Sequence, residues 1–251
     1  MISLPRQQIV AVSPVYGGAD RDHLRCKRDL ENLYVTIIET EHCPYIDMAR
    51  SALVEMANEL QPEWSTMVWI DHDIIFKAED VVKLAEHCHA SEYDILAVLY
   101  SMRRPKFTTI GRPAKHVETA EFYTPGLIDA DFCGMGFTAV KRHVFERLAS
   151  TMQKLECPTV GRSIYPFFSH DTAKGAYLGE DISFCYRVQA RGMKIGIDKE
   201  PRLYHRGQYD YALEDVGIAV PDHPTLHINF NPNKPSDITK PDTIITERAA
   251  E

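Results

Sequence analysis

The sequence lacks several features, and each absence excludes a class of protein. It has no C-x-x-C pair. Its six cysteines, Cys26, Cys43, Cys88, Cys133, Cys157 and Cys185, are scattered, which argues against a zinc knuckle or a disulfide framework and fits reduced thiols. There is no N-x-S/T sequon, no apolar signal core in the opening "MISLPRQQIVAV", and no hydrophobic run long enough to span a membrane. Positive charge is also short. A net charge of −8 argues against a partner held through phosphate contacts alone, though it is compatible with a local basic patch. These absences predict a cytoplasmic, soluble protein with no membrane span.

The 251 residues suffice for one large domain or two small ones. In the first half, short β-like runs alternate with amphipathic helical patterns. "QIVAV" (8–12) reads as a strand ending at the turn-forming "SPVYGG". Residues 20–32 read as a helix and "LYVTII" (33–38) as a second strand. In 47–60, Met48, Ala52, Met56 and Leu60 fall on one face at helical spacing. "MVWIDHDIIF" (67–76) is a third strand, "AEDVVKLAEHC" a helix with acids in its first turn, and "YDILAVLY" (93–100) a fourth strand. The alternation predicts an α/β domain with a mainly parallel central sheet and helices on both faces.

Beyond residue 100 the pattern loosens. Residues 101–130 read as a long loop with a β-excursion, carrying Arg103, Arg104 and Lys106. "GFTAV" reads as a strand followed by a helix through "KRHVFERLASTMQKL". The next loop, "ECPTVGRSIYPFFSHDTAKGAY", is too long and aromatic for a simple connector. "EDISFCYRVQARG" reads as a helix closed by Gly192, and "KIGI" and "RLYH" as short strands. From residue 207 prolines recur without periodicity, which predicts an arm over the domain.

The strand "MVWIDHDIIF" is interrupted by Asp71, His72 and Asp73. Carboxylates beside apolar flanks need a partner, because unpaired charge is costly to bury. In a regular strand both acids would project to one side, and in open α/β sheets ligands gather beyond the carboxyl ends of strands. Two acids there suit a hard cation such as Mn²⁺ or Mg²⁺. They would equally suit a helix cap or a solvated turn. Taken alone, D-x-D leaves both open.

The order "IVAVSPVYGG … DMARSALVEMA … MVWIDHDIIF … FCGMGFTAVKRHVFERL … GEDISFCYRVQARG … RLYHRG" resembles GT-A-type, nucleotide-sugar-dependent glycosyltransferases of the family-2-like kind, over roughly residues 8 to 207. The resemblance implies a glycosyltransferase domain over 1–206, with a nucleotide-binding half (about 1–100) and an acceptor-binding half (about 101–206). It implies Asp71 and Asp73 as the D-x-D and His205 as the histidine completing a Mn²⁺ or Mg²⁺ site. Pro14, Val15 and Tyr16 then cup the base and ribose, with His72 beside them. Arg50 stands near the nucleotide, although Ser51 replaces the asparagine usual after it. Asp181, with Glu180 beside it, matches the catalytic base of inverting members.

The implied partners are a nucleoside-diphosphate sugar, with UDP as its nucleotide, and an acceptor bearing a hydroxyl. Arg103, Arg104 and Lys106 would add charge stabilisation. Gly134 and Gly136 lack the third glycine of a dinucleotide fingerprint, and would let backbone approach a sugar. Tyr165, Phe167 and Phe168 either pack their loop or form a platform for an acceptor sugar. His87, Cys88 and His89 are adjacent and share no helix face, so they read as surface and core. Two other readings of the chain stay open: a sugar-nucleotide nucleotidyltransferase, and a non-catalytic sugar- or nucleotide-binding module of the same fold.

Overall fold

A computed structural model describes residues 3–18, 21–101, 111–114, 126–173, 176–207 and 210–212. The first half runs β1 (Ile9–Val15), α1 (Arg21–Asn32), β2 (Thr36–Glu41), α2 (Ile46–Leu60), β3 (Thr66–Ile70), β4 (Ile74–Ile75), α3 (Ala78–Ala90) and β5 (Ile95–Val98). The second half runs β6 (Gly111–Pro113), β7 (Leu127–Cys133), β8 (Phe137–Lys141), α4 (Arg142–Ala149), β9 (Leu155–Cys157), β10 (Arg162–Ile164), β11 (Asp171–Ala173), β12 (Ala176–Leu178), α5 (Glu180–Gln189), β13 (Ile195–Asp198), β14 (Tyr204–Arg206) and β15 (Asp210–Ala212).

Eight strands form the central sheet in the order β2-β1-β3-β8-β5-β13-β7-β6. β1 pairs in parallel with β2 and β3, and β13 with β5. β8 runs against β3 and β5, and β7 against β13 and β6. Six strands therefore share one direction, so the sheet is mainly parallel, as expected. The period of two along each strand divides the core between the faces. Val10, Val12, Met67, Trp69, Ile95 and Ala97 meet α2, α4 and α5 on one side. Ile9, Ala11, Val68, Ile70, Leu96 and Val98 meet α1 and α3 on the other.

Local chemistry shifts some boundaries. β2 begins at Thr36, not at residue 33, because Leu33 and Tyr34 bond back to Leu30 and Glu31 and Tyr34 takes a left-handed conformation at φ 60°. α4 stops at Ala149 because the hydroxyls of Ser150 and Thr151 bond to the carbonyls of Arg147 and Leu148. β6 and the start of β7 fall within 101–130, where a β-excursion was expected, and β7 runs on past that region to Cys133. Its alternation was masked by Asp129 and Asp131, whose strand buries Ile128 and Ala130 on the opposite side. Gly192 sits past α5 with φ 71°, as the helix stop requires.

The aromatic loop belongs to the core. Phe167 and Phe168 are buried, and Phe168 stacks on Phe184 of α5 with centroids 4.4 Å apart and meets Trp69 edge-on at 5.1 Å. Each such ring contributes about 1.5–3 kcal/mol through burial. Of the two readings of this loop, packing is therefore correct for Phe167 and Phe168. A consequence for the site is that α5 is anchored by its middle, which fixes the direction of its first turn. Cys88 is buried, His89 is exposed and His87 bonds to Asp198 at 2.7 Å, matching the surface-and-core reading of that cluster.

Candidate functional site

β3 ends at Ile70, and Asp71-His72-Asp73 forms a turn closed by the Ile74 N–H donating to the Asp71 carbonyl at 3.0 Å. The segment is thus no regular strand, and the two acids part company. Asp71 faces Arg50, whose Nη2 donates to its Oδ1 at 2.9 Å and Oδ2 at 3.2 Å. Asp73 faces His205, with Oδ2 3.4 Å from Nε2. Asp71 thus has the cationic partner that its apolar surroundings demand.

His205 is held in this orientation from behind. β14 pairs with β4, setting His205 opposite Ile74, and Nδ1 donates to the Ser101 carbonyl at 2.8 Å. A carbonyl oxygen only accepts, so Nδ1 carries the proton and Nε2 presents its lone pair to Asp73 when the ring is neutral. The Tyr100 ring meets the imidazole edge-on at 5.3 Å, and the Tyr100 hydroxyl accepts the Gly136 N–H at 2.9 Å. Burial, and then the Asp71 charge, push the Tyr100 hydroxyl well above its ordinary value. The Arg206 N–H donates to the Asp73 carbonyl at 2.7 Å, and its Nη2 bonds to Asp22 at the same distance.

Glu180 and Asp181 open α5 after Gly179. Glu180 Oε1 accepts from Arg50 Nη1 at 2.7 Å. Asp181 Oδ1 accepts the Ile182 N–H at 2.7 Å. Burial, and then the neighbouring Glu180 charge, hold the Asp181 carboxyl above the ordinary value of 3.8, while Arg50 acts against this shift.

A cavity of about 300 Å³ gathers most of these groups. Its walls include Pro14, Val15 and Tyr16 from the end of β1, Arg50 from α2, Asp71, His72 and Asp73 from the turn, and Glu180 from α5. It lies beyond the carboxyl ends of β1 and β3, where α/β sheets gather ligands. Asp181 and His205 stand behind this lining rather than on it. The sequence reading missed Cys43, Pro44 and Ile46, which form a further wall, together with Tyr100 and Ser101, which support His205. The strand-end rule that drew attention to Asp71 applies equally to the segments after β2 and β5.

Gly136 corrects another expectation. A Cβ there would stand 2.2 Å from the Tyr100 hydroxyl and 3.1 Å from Asp71 Oδ2. The glycine therefore admits the protein's own Tyr100 and Asp71, not a sugar. Arg103, Arg104 and Lys106 lie outside the described residues, as does most of the expected arm. Residues 210–212 of that arm pair with β14 as β15, so this ladder continues past residue 206.

The chain matches no family model, and no curated protein matches it either. Among solved structures it is similar to A197 from STIV, with a TM-score of 0.57 and 16% identity over 86% of this chain and 95% of that one. The fold shared with A197 is a single α/β domain with a mainly parallel central sheet and helices on both faces. Weaker likenesses reach GalNAc-T7 with UDP, GalNAc and Mn²⁺ (TM-score 0.49, 13% identity, 83% of this chain and 45% of that one). A further one reaches a glycosyltransferase involved in glycosylation of the major capsid of PBCV-1 (TM-score 0.33, 11% identity, 55% and 62%). At 16% identity the likeness to A197 is one of fold alone. Among the described residues, no helix is long and apolar enough to cross a membrane.

Proposed function

We propose that the protein is a metal-dependent glycosyltransferase that moves a sugar from a nucleoside-diphosphate sugar, with UDP as the nucleotide, to an acceptor hydroxyl. One observation carries this reading. The D-x-D turn, the β1 turn with Tyr16, and Glu180 at the head of α5 converge on a single cavity at the carboxyl ends of the strands.

The donor set fits a hard divalent cation. Asp73 offers carboxylate oxygen, and the His205 tautomer fixed by Ser101 offers an imidazole nitrogen, a combination suited to Mn²⁺. Among the described residues, no three His, Cys, Asp or Glu side chains are grouped as a metal cage. Asp73 and His205 would supply two ligands and the donor's phosphate oxygens the others. The cation would act as a Lewis acid for the leaving diphosphate as its negative charge builds. Asp71, engaged by Arg50, orients the turn and keeps lone pairs for the donor's ribose or the cation.

The apolar and aromatic end of the cavity, Pro14, Val15, Tyr16 and Ile46, suits a planar base and a ribose, while the acidic end suits a cation-bound diphosphate. Asp181 is the base that takes the acceptor's proton in an inverting displacement. Its raised proton affinity brings it nearer to the operating pH, which favours general-base work. Residues 1–206 form the catalytic domain, divided near residue 100 into donor and acceptor halves, and the protein acts in the cytoplasm.

The test is release of nucleoside diphosphate from a panel of UDP- and GDP-sugars with Mn²⁺, with and without candidate acceptors. Turnover that disappears on chelation and in Asp181→Ala supports the reading. Binding of nucleotide sugar with no turnover on any acceptor, or formation of a sugar nucleotide from nucleoside triphosphate, replaces it with the binding-module or nucleotidyltransferase reading.

A further inference from the structure

Arg50 occupies an unusual position for an arginine. It lies on the buried face of α2 at 3% exposure, between Ala49 and the core residues Ala52 and Leu53. Burial by itself would favour loss of its proton, but the Asp71 and Glu180 charges reverse this and its proton is held more tightly than usual. Its two ends diverge. Nη2 reaches Asp71 where β3 ends, and Nη1 reaches Glu180 where α5 begins, 130 residues further along the chain. A guanidinium is a planar fork whose donors keep a fixed mutual angle, so it holds two carboxylates at a set separation. An ammonium is a point charge on a flexible stem and imposes no such geometry.

We infer that Arg50 is a positioning residue. It sets the donor-binding turn and the base-bearing helix at a fixed distance, acting through Asp71 and Glu180 and not by touching the reacting sugar. The inference rests on the reaction proposed above. By engaging Glu180, Arg50 also leaves Asp181 as the carboxylate of that pair available for proton transfer. The arrangement holds the turn after β3 and the head of α5 in register without a covalent cross-link.

Arg50→Lys keeps the charge and removes the fork, so it tests geometry rather than electrostatics. Three readouts separate the possibilities: UDP affinity with Mn²⁺ by calorimetry, kcat and KM for the donor, and hydrogen exchange of the Ile182 and Ser183 amides in the first turn of α5. The expected result is nearly unchanged UDP affinity and KM, with kcat lower by roughly 100-fold, as a misplacement of about 1 Å produces. Exchange at Ile182 and Ser183 accelerates, while exchange at Val10 and Val12 in β1 does not. Wild-type kcat with unchanged exchange overturns the inference. Loss of UDP affinity with unchanged exchange also overturns it, and makes Arg50 a donor ligand. If the wild-type protein turns over no donor, the proposed reaction fails while the exchange readout still decides whether Arg50 couples turn and helix. If Arg50→Lys does not fold, Glu180→Ala removes the acceptor at the other end of the same bridge and carries the same readouts.

Discussion

His205 presents Nε2 to Asp73 Oδ2 at 3.4 Å because its Nδ1 is committed to the Ser101 carbonyl. The pair joins a turn after β3 to a strand near residue 205, and it is the structural core of the proposed metal site. Substituting either member is expected to remove Mn²⁺-dependent nucleotide binding. Loss of outer support alone typically lowers metal affinity or activity about 10–100-fold, so Asp73→Ala and His205→Ala should each exceed that. Calorimetric titration of UDP with and without Mn²⁺ measures it.

Asp181 predicts opposite effects on activity and stability. Its folded-state pKa lies above the ordinary 3.8, through burial first and Glu180 second. A raised folded value means that the folded chain binds the proton more tightly than the unfolded one. The associated stability is fully present below the unfolded value and is lost as pH rises through the folded one. At neutral pH the ionised carboxylate therefore weighs against the fold. Asp181→Asn should raise the Tm there, with the gain shrinking in acid, while turnover falls roughly 10²–10⁴-fold as for loss of a general base. A pH series of thermal melts, paired with initial rates, checks both arms.

Arg50→Ala leaves Asp71 and Glu180 facing each other without the cation between them. Breaking a buried ion pair by removing one partner costs about 3–5 kcal/mol, so this variant should be among the most destabilising at the site. Denaturant unfolding measures the loss. Adding Asp71→Asn and Glu180→Gln should recover much of the stability without recovering turnover.

Gly136→Ala should be destabilising although the backbone there is ordinary. The new methyl would stand 2.2 Å from the Tyr100 hydroxyl and 2.7 Å from its ring carbon Cζ, and overpacking of this kind costs about 1–3 kcal/mol. The same shift would move Tyr100 against His205. Nucleotide affinity should thus fall together with the Tm.

Much of the fold was legible because it rests on local pattern. The alternation through Met67, Val68, Trp69 and Ile70 places these residues on opposite faces of the sheet. In α2 the helix was legible but its inner face was only partly so: Ala52 is buried as the spacing of Met48, Ala52, Met56 and Leu60 implied, yet Leu60 is exposed and the core takes Leu53, Val54 and Ala57 instead. The D-x-D stood out because acids interrupted an apolar run. What the sequence hid was pairing at a distance. Nothing local indicates that Asp71 meets Arg50 while Asp73 meets His205, or that Phe168 leaves a loop to stack beneath α5. Glu180 resembled an ordinary first-turn acid, and only the tertiary fold brings Arg50 to it. Cys43, Pro44 and Ile46 were overlooked because a turn after a strand carries no distinctive residue type until the cavity beside it is visible.

The most direct measurement is thermal stability against a panel of nucleoside diphosphates, with and without Mn²⁺, for the wild-type protein and Asp73→Ala. A ligand that binds only the folded state at about 100 times its Kd adds roughly 2.7 kcal/mol of stability, enough to shift the Tm visibly without knowledge of the acceptor. The account predicts a shift with UDP that requires Mn²⁺ and vanishes in Asp73→Ala. A shift that persists in Asp73→Ala, or none with any nucleotide at saturating concentration, would contradict it.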